Sequence, residues 1–360
     1  MTRQVTEVEV GERIEAMRRR PQRFRDERIT MAHGAGGKAS RALVEGLVVP
    51  LLTNPALEAL SDSGLLTVGS TRLALTTDAF VVRPIRFPGG SIGELAVNGT
   101  VNDLAVSGAR PVALSAALVL EEGLAADILE AEITAMADAA RRADVSVITG
   151  DTKVVERGKC DSMYVITTGV GEVQAGSALS PKSVQPGDKV LISGTVGDHG
   201  IAIMLARGDL DIEADVRSDT QPLWGLASAL LGVCGGDLHC MRDATRGGVA
   251  TVLNEIALAA EVGVVLDESR VPVRPEVVGA GEILGIDPLY VANEGKLVAF
   301  VASASADAAL AAMRALPCGR DAAIVGEVRE EPRGRVLART TFGGHRLIDM
   351  LVGDPLPRIC

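Results

Sequence analysis

Short apolar runs that end in glycine-rich or acidic turns alternate along this chain with stretches of helical period. Residues 73–80 form an apolar run that reads as a strand, and residues 92–105 read as a helix crowded with small side chains. Leu124, Ile128, Ile133, Met136 and Ala140 recur at helical spacing, which predicts an amphipathic helix over 124–143 covering a sheet. Strands follow at 145–153 and 163–171, and after a break the pattern resumes with a strand at 189–194 and a helix from Ile201. Farther on come a helix over 250–260 with Thr245 as its cap, a strand at 297–301, a helix at 306–316 and a strand at 322–328. This alternation predicts an α/β (α+β) chain in two halves, with no sequence repeat between them. Residues 180–188, with Pro181, Pro186 and Gly187, have linker chemistry. The expected organisation is an appendage over 1–28, a first domain over 29–178, a second over 179–340, and a tail over 341–360.

Composition narrows the picture. The 360 residues are 47% hydrophobic but only 2% aromatic, so two ordinary cores must be built from Ala, Val, Leu and Ile. Forty glycines point to many tight turns and close backbone approaches. A formal charge of −11 argues against nucleic acid as a main partner. No apolar run reaches spanning length and the N-terminus lacks the apolar core of a secretory signal, so a soluble cytoplasmic protein without a membrane partner is expected. Residues 1–28 carry both charge signs, including Arg18, Arg19 and Arg20, and read as a solvated face or a basic docking arm. Cys160, Cys234, Cys240, Cys318 and Cys360 are odd in number and without C-x-x-C spacing, which fits a reducing compartment. Cys234, His239 and Cys240 leave zinc open as an alternative.

Several residues are candidates for chemistry. Gly34, Gly36, Gly37 and Lys38 precede a helix, so the loop is either an anion cradle or an ordinary turn. Asp78, Asp103 beside Asn102, and Asp151 beside Thr152 and Lys153 each accompany an apolar element. Together they suit Mg²⁺ on a nucleotide phosphate, and singly they suit turn caps. Arg246, Gly247 and Gly248 make an anion-friendly helix entrance, and Glu294 places an acid at the mouth of a strand. His199, beside a glycine turn, is a structural histidine or a proton carrier. The last seven residues put Cys360 at the tip of an arm stiffened by Pro355 and Pro357, either a frayed end or a carrier of a mobile thiol.

In order along the chain, "HGAGGK", "TTDAF", "GTVNDLAVSGA", "TGDTKVV", "GTVGDHG", "RDATRGGV", "ANEGKLV" and the terminal "PRIC" resemble the HypE family of hydrogenase maturation proteins. That family sits among the PurM-like (AIR synthetase-like) ATP-dependent enzymes. The resemblance covers everything from about residue 29 to the end. It implies a two-domain PurM-like fold, a homodimer whose N-terminal domains pair their sheets, a flexible C-terminal tail, and ATP with Mg²⁺ between the domains. It also implies that the carbamoyltransferase HypF loads Cys360 with a carboxamide, which ATP then helps dehydrate to a thiocyanate. The cyanide would pass to iron on a HypC–HypD complex, toward nickel–iron hydrogenase. Matched motif to motif, Asp78, Asp103 and Asp151 become the metal carboxylates. Gly36, Gly37, Lys38, Asn102 and Thr152 join them around ATP. Lys153 becomes the charge stabiliser and Glu294 the base. Asn98 departs from the small apolar residue or cysteine that the resemblance implies at its position. Two rival readings are a PurM-like small-molecule kinase or synthetase of the thiamine-phosphate or selenophosphate type, and a non-enzymatic carrier.

Overall fold

The computed structural model describes residues 24–208, 214–351, 353 and 358–360. Pro355, Pro357 and most of the 1–28 appendage lie outside the described residues. In chain order the first half contributes helix α1 (Lys38–Leu43), strands β1 (Gly64–Val68) and β2 (Thr71–Phe80), and a ribbon of β3 (Arg86–Phe87) and β4 (Gly90–Ser91). Helix α2 (Ile92–Val106), β5 (Ala109–Glu121), helix α3 (Ala126–Arg142), β6 (Ser146–Val155) and β7 (Met163–Val173) follow. Five strands form one sheet in the order β1-β2-β7-β5-β6, antiparallel except for the β5–β6 pair.

The second half contributes β8 (Lys189–Ile192), α4 (Asp198–Ala206), α5 (Trp224–Cys234), β9 (Leu238–Asp243), α6 (Gly248–Ala260) and β10 (Gly263–Asp267). It continues with α7 (Pro275–Leu284), β11 (Leu297–Val301), α8 (Ala306–Arg314), β12 (Ala323–Arg329), β13 (Arg335–Arg339) and β14 (His345–Ile348). Its seven strands run in the order β14-β13-β10-β12-β8-β11-β9, with β10 and β13 parallel. The α/β expectation therefore holds for both halves. Two boundaries fall differently from the sequence reading. β14 carries the second sheet into the segment expected to be tail. The stretch around α1 leans on the second domain, where the Lys38 N–H donates to the Leu351 carbonyl at 2.9 Å.

Helix α2 explains the small residues of its stretch. Apart from Glu94 and Asp103 its residues are buried, because it packs on β2, β5 and β7 on one side and on α5 and β9 of the other domain elsewhere. Gly99 is needed for that approach, since a Cβ there would come within 2.8 Å of the Phe80 ring. Helix α3 is rotated from the expected stripe. Ile128 and Ile133 are exposed, and Glu132, Met136, Ala139 and Ala140 are buried. The reason is electrostatic. Glu132 accepts from the Gly93 N–H at 3.0 Å and pairs with Arg86 at 2.7 Å, an anion at the N-terminus of α2.

The two domains are joined through Asn102. Its side-chain amide donates to the carbonyls of Gln221 and Glu294, both at 3.0 Å, and its oxygen accepts from the Leu223 N–H at 2.8 Å. Asn102→Ala would leave these buried partners unsatisfied, so unfolding in urea is expected to show a loss of about 3 kcal/mol. An unchanged midpoint would mean that this joint carries no stability.

Candidate functional site between the domains

Carboxylates from both domains meet along this joint. Asp62 lies in the turn before β1, Asp78 on β2, Asp103 on α2, Asp243 at the end of β9, and Glu294 in the loop before β11. Ligand oxygens of Asp62, Asp103 and Asp243 lie within 4.8 Å of one another. Arg242, reaching across from the second domain, and Thr76, within the first, hold them there. Arg242 pairs with Asp62 and donates to the Leu60 carbonyl at 2.8 Å. The Thr76 hydroxyl lies 2.9 Å from the Asp62 carbonyl and 2.6 Å from an Asp103 oxygen.

Crowding of like charge away from water sets the proton affinities. Burial, then the charges of Asp243 and Asp78, push the Asp103 carboxyl well above the ordinary aspartate range. Burial, then Asp62 and Asp78, do the same to Asp243. Asp78 is raised by burial, with Arg246 opposing. Glu294 is raised by burial, then by Asp243 and Asp219, and one of its buried oxygens has no hydrogen-bond partner among the described residues. An oxygen-only donor set with surplus negative charge fits a hard divalent cation such as Mg²⁺, with Asp62, Asp103 and Asp243 as the nearest ligands.

Beside the carboxylates is a cavity of about 160 Å³, lined among others by Gly34, Ala35, Ala79, Arg246, Ile359 and Cys360. Arg246 donates to the Gly34 carbonyl at 2.8 Å. Negative charge at Cys360 pushes the Arg246 pKa up against the effect of burial, with Asp78, Glu294 and Asp103 adding to it. One guanidinium thus feels both the chain terminus and the acids. The glycine loop closes over it: Gly36 has φ +76° and a Cβ there would lie 2.8 Å from the Arg246 carbonyl oxygen. A Cβ on Gly37 would lie 2.4 Å from the Leu351 carbonyl oxygen. Lys38 pairs with Asp349 at 2.7 Å. The cap of α6 is Gly247 rather than Thr245, which leaves that glycine entrance facing Gly36.

The structure thus brings Asp78, Asp103, Glu294, Gly36 and Cys360 into one neighbourhood. It places Asp151, Thr152 and Lys153 elsewhere in the chain. The register runs Asp151 to Ala117, Ala117 to Ile166, and Ile166 to Ala79, so Asp151 is three strands from the neighbour of Asp78, about 14 Å at ordinary strand spacing. These residues are exposed on β6, an edge strand. Lys153 bonds Asp151 at 2.6 Å, and that bond, followed by the Thr152 N–H, holds the Asp151 carboxyl below its usual range. Asn102 spends its side chain on the domain joint. Asp62 and Asp243 were absent from the predicted set. Asp243 stands in "RDATRGGV", whose arginine and glycines point to an anion at the helix entrance, and Asp62 is a turn acid that no local pattern distinguishes.

A buried carboxyl with a raised pKa costs stability as pH rises from the ordinary value near 3.9 towards its folded value, because the unfolded chain then ionises the group while the folded state holds it protonated. Asp103→Asn should therefore melt higher than the parent at pH 7.5 in a chelator, by about 1 kcal/mol. The advantage should shrink as pH falls towards 4, about where the unfolded group titrates. A lower melting temperature for the variant at pH 7.5 would contradict this picture.

Comparison with known proteins agrees with the architecture. Residues 60–173 match the AIR synthase related protein N-terminal domain, and residues 185–339 match the C-terminal domain of the same group. A carbamoyl dehydratase HypE of Rhodobacter capsulatus is 51% identical over 340 residues, covering 94% of this chain and 99% of that one. A crystal structure of the hydrogenase maturation protein HypE in complex with ATP superposes with a TM-score of 0.78 at 46% identity, covering 92% and 100% of the two chains. A crystal structure of a HypE–HypF complex gives a TM-score of 0.82 at 43% identity, covering 86% and 100%.

Proposed function

Because the chain belongs to the HypE family of carbamoyl dehydratases, we propose that it uses ATP to dehydrate a carboxamide carried on its own Cys360 to a thiocyanate. The observation that carries this reading is the position of the chain terminus. Cys360 lines the cavity that Arg246 overhangs, next to the interdomain acids and the glycine loop. A small-molecule kinase of the same fold has no use for a thiol delivered to that place.

The chemistry needs an amide oxygen to leave. Transfer of the γ-phosphoryl group to that oxygen releases ADP and turns it into a phosphate leaving group. Loss of the two N–H protons then leaves S–C≡N and inorganic phosphate. Asp62, Asp78, Asp103 and Asp243 would hold Mg²⁺, which supplies charge neutralisation at the phosphates. Glu294 is suited to take a proton, since burial and neighbouring acids have raised its affinity for one and the Asp219 carboxylate holds its backbone N–H at 2.9 Å. Asp219 would itself be raised by burial, but Lys296, at 3.0 Å, and His199 keep it below its usual range. Gly36, Gly37 and Lys38 would cover the phosphates. HypF would load the thiol, and a HypC–HypD iron complex would receive the cyanide.

The reading includes a homodimer. Leu66, Val68 and Leu75 share one face of the first sheet and are exposed, and Ile148 and Val154 are exposed on its edge strand β6. Pairing there would let a second copy supply Asp151, Thr152 and Lys153 to the phosphates, which the positions of these residues in one chain do not allow. Light scattering should report a dimer for the parent and a monomer for an Ile148→Lys, Val154→Lys double variant, with ATP turnover falling at least tenfold. Full turnover by the monomer would remove Lys153 from the site.

Intact-mass measurement after incubation with HypF, carbamoyl phosphate and ATP tests the central step. The expected result is a gain of one carbamoyl group on the C-terminal peptide, followed by loss of one water that depends on ATP. Cys360→Ala should abolish both while retaining ATP binding. A carbamoyl group found on another residue would overturn the proposal.

A further inference from the structure

The chain end is engaged by more than its terminal residue. Ile359 is buried in an apolar core drawn from both domains, with Phe80, Val82, Ile201, Val291 and Ala292. The backbone of the last residues is also bonded. The Val81 N–H donates to a Cys360 oxygen at 3.0 Å, and the Arg83 N–H to the Arg358 carbonyl at 3.2 Å. Arg207, at the C-terminal end of α4, reaches the same Arg358 carbonyl at 2.8 Å and the Arg83 carbonyl at 3.0 Å. His199, on the first turn of α4 and fully buried, places Nε2 at 2.9 Å from the Ile359 carbonyl.

The protonation of His199 follows from its partners. A carbonyl oxygen only accepts, so Nε2 carries the hydrogen, and Nδ1 accepts from the Ser218 hydroxyl at 2.8 Å. Ser218 Oγ is in turn held by the Thr220 N–H at 3.2 Å, and the Thr220 hydroxyl takes a bond from the Asn98 amide at 3.0 Å. Phe87 meets the imidazole edge to face, with ring centroids 5.6 Å apart. Ring, tautomer and donor direction are therefore fixed from α2 outwards, and they converge on one peptide carbonyl of the tail.

We propose that His199 and Arg207 form a latch that holds the chain terminus docked and sets the Cys360 thiol in the cavity, so that opening this latch governs how often the thiol is presented outside. His199 acts here as a positioning residue: it touches the tail backbone, not the reacting atoms. The functional meaning of the latch rests on the reading of Cys360 as carrier, but its existence does not. Burial lowers the His199 pKa, which keeps the neutral, Nε2-protonated ring in place around neutral pH.

The rate at which iodoacetamide alkylates Cys360 in the full-length protein, followed by mass spectrometry of the C-terminal peptide, measures the undocked fraction directly when opening is fast relative to alkylation. His199→Ala is expected to raise that rate about tenfold, the effect of losing one buried hydrogen bond worth about 1.4 kcal/mol. His199→Gln, which retains a donor, should recover part of the protection. Arg207→Ala, at the surface end of α4, should raise the rate several-fold and keeps the test open if His199→Ala does not fold. Equal alkylation rates in Arg207→Ala and the parent, or in a folded His199→Ala and the parent, would overturn the latch. Alkylation needs neither HypF nor ATP, so absence of thiocyanate in the parent would refute the dehydratase reading and leave this result standing.

Discussion

Like-charge repulsion at the domain joint is the constraint around which the molecule is arranged. Asp78 and Asp103 come from the first domain, Asp243 and Glu294 from the second, and the joint presses them together at close range with limited access to water. Isolated anions in such a place would drive the domains apart. The fold opposes this with the Arg242 to Asp62 pair, the Asn102 bridge, the buried Lys296 to Asp219 pair, and an apolar core shared by the two domains. Raised proton affinities are the remaining cost, and they make the joint receptive to a cation and to an anion that the cation carries.

The same arrangement explains how much could be read from the chain alone. Strands such as β2, β7 and β11 were legible because unbroken apolar runs between turn residues have few other uses. Helix α2 was legible from its small residues, which the closeness of Gly99 to Phe80 demands. The face of α3 was not, because the requirement that buried Glu132 is an N–H group of another helix. Asp78, Asp103 and Glu294 were found as acids in apolar surroundings. Asp62 was not, since its meaning arises only when Arg242 arrives from the other domain. The motif holding Asp151 and Lys153 is vivid in sequence, yet strand order, which sequence does not carry, decides that it lies at the sheet edge.

For the tail, the terminal residues predict a proline-braced arm carrying a mobile thiol, with its docking left open. Pro355 and Pro357 lie outside the described residues, while Ile359 is part of the interdomain core and Arg358 is tied to Asp161 at 2.7 Å. What the sequence pattern could not convey is that a single isoleucine next to the terminal cysteine would find a socket spanning both domains.

That socket has a consequence for any protein that must meet the thiol. Stripping a buried isoleucine from its surroundings costs about 2 kcal/mol, so molecules with the terminus withdrawn form a minor population, on the order of a few per cent. A partner that captures only the withdrawn form binds with an apparent affinity reduced by that fraction, unless its own contacts supply the difference. The reactive end is thereby rationed: encounters with unrelated electrophiles stay rare, while a partner able to stabilise the open form meets the thiol at its full intrinsic reactivity.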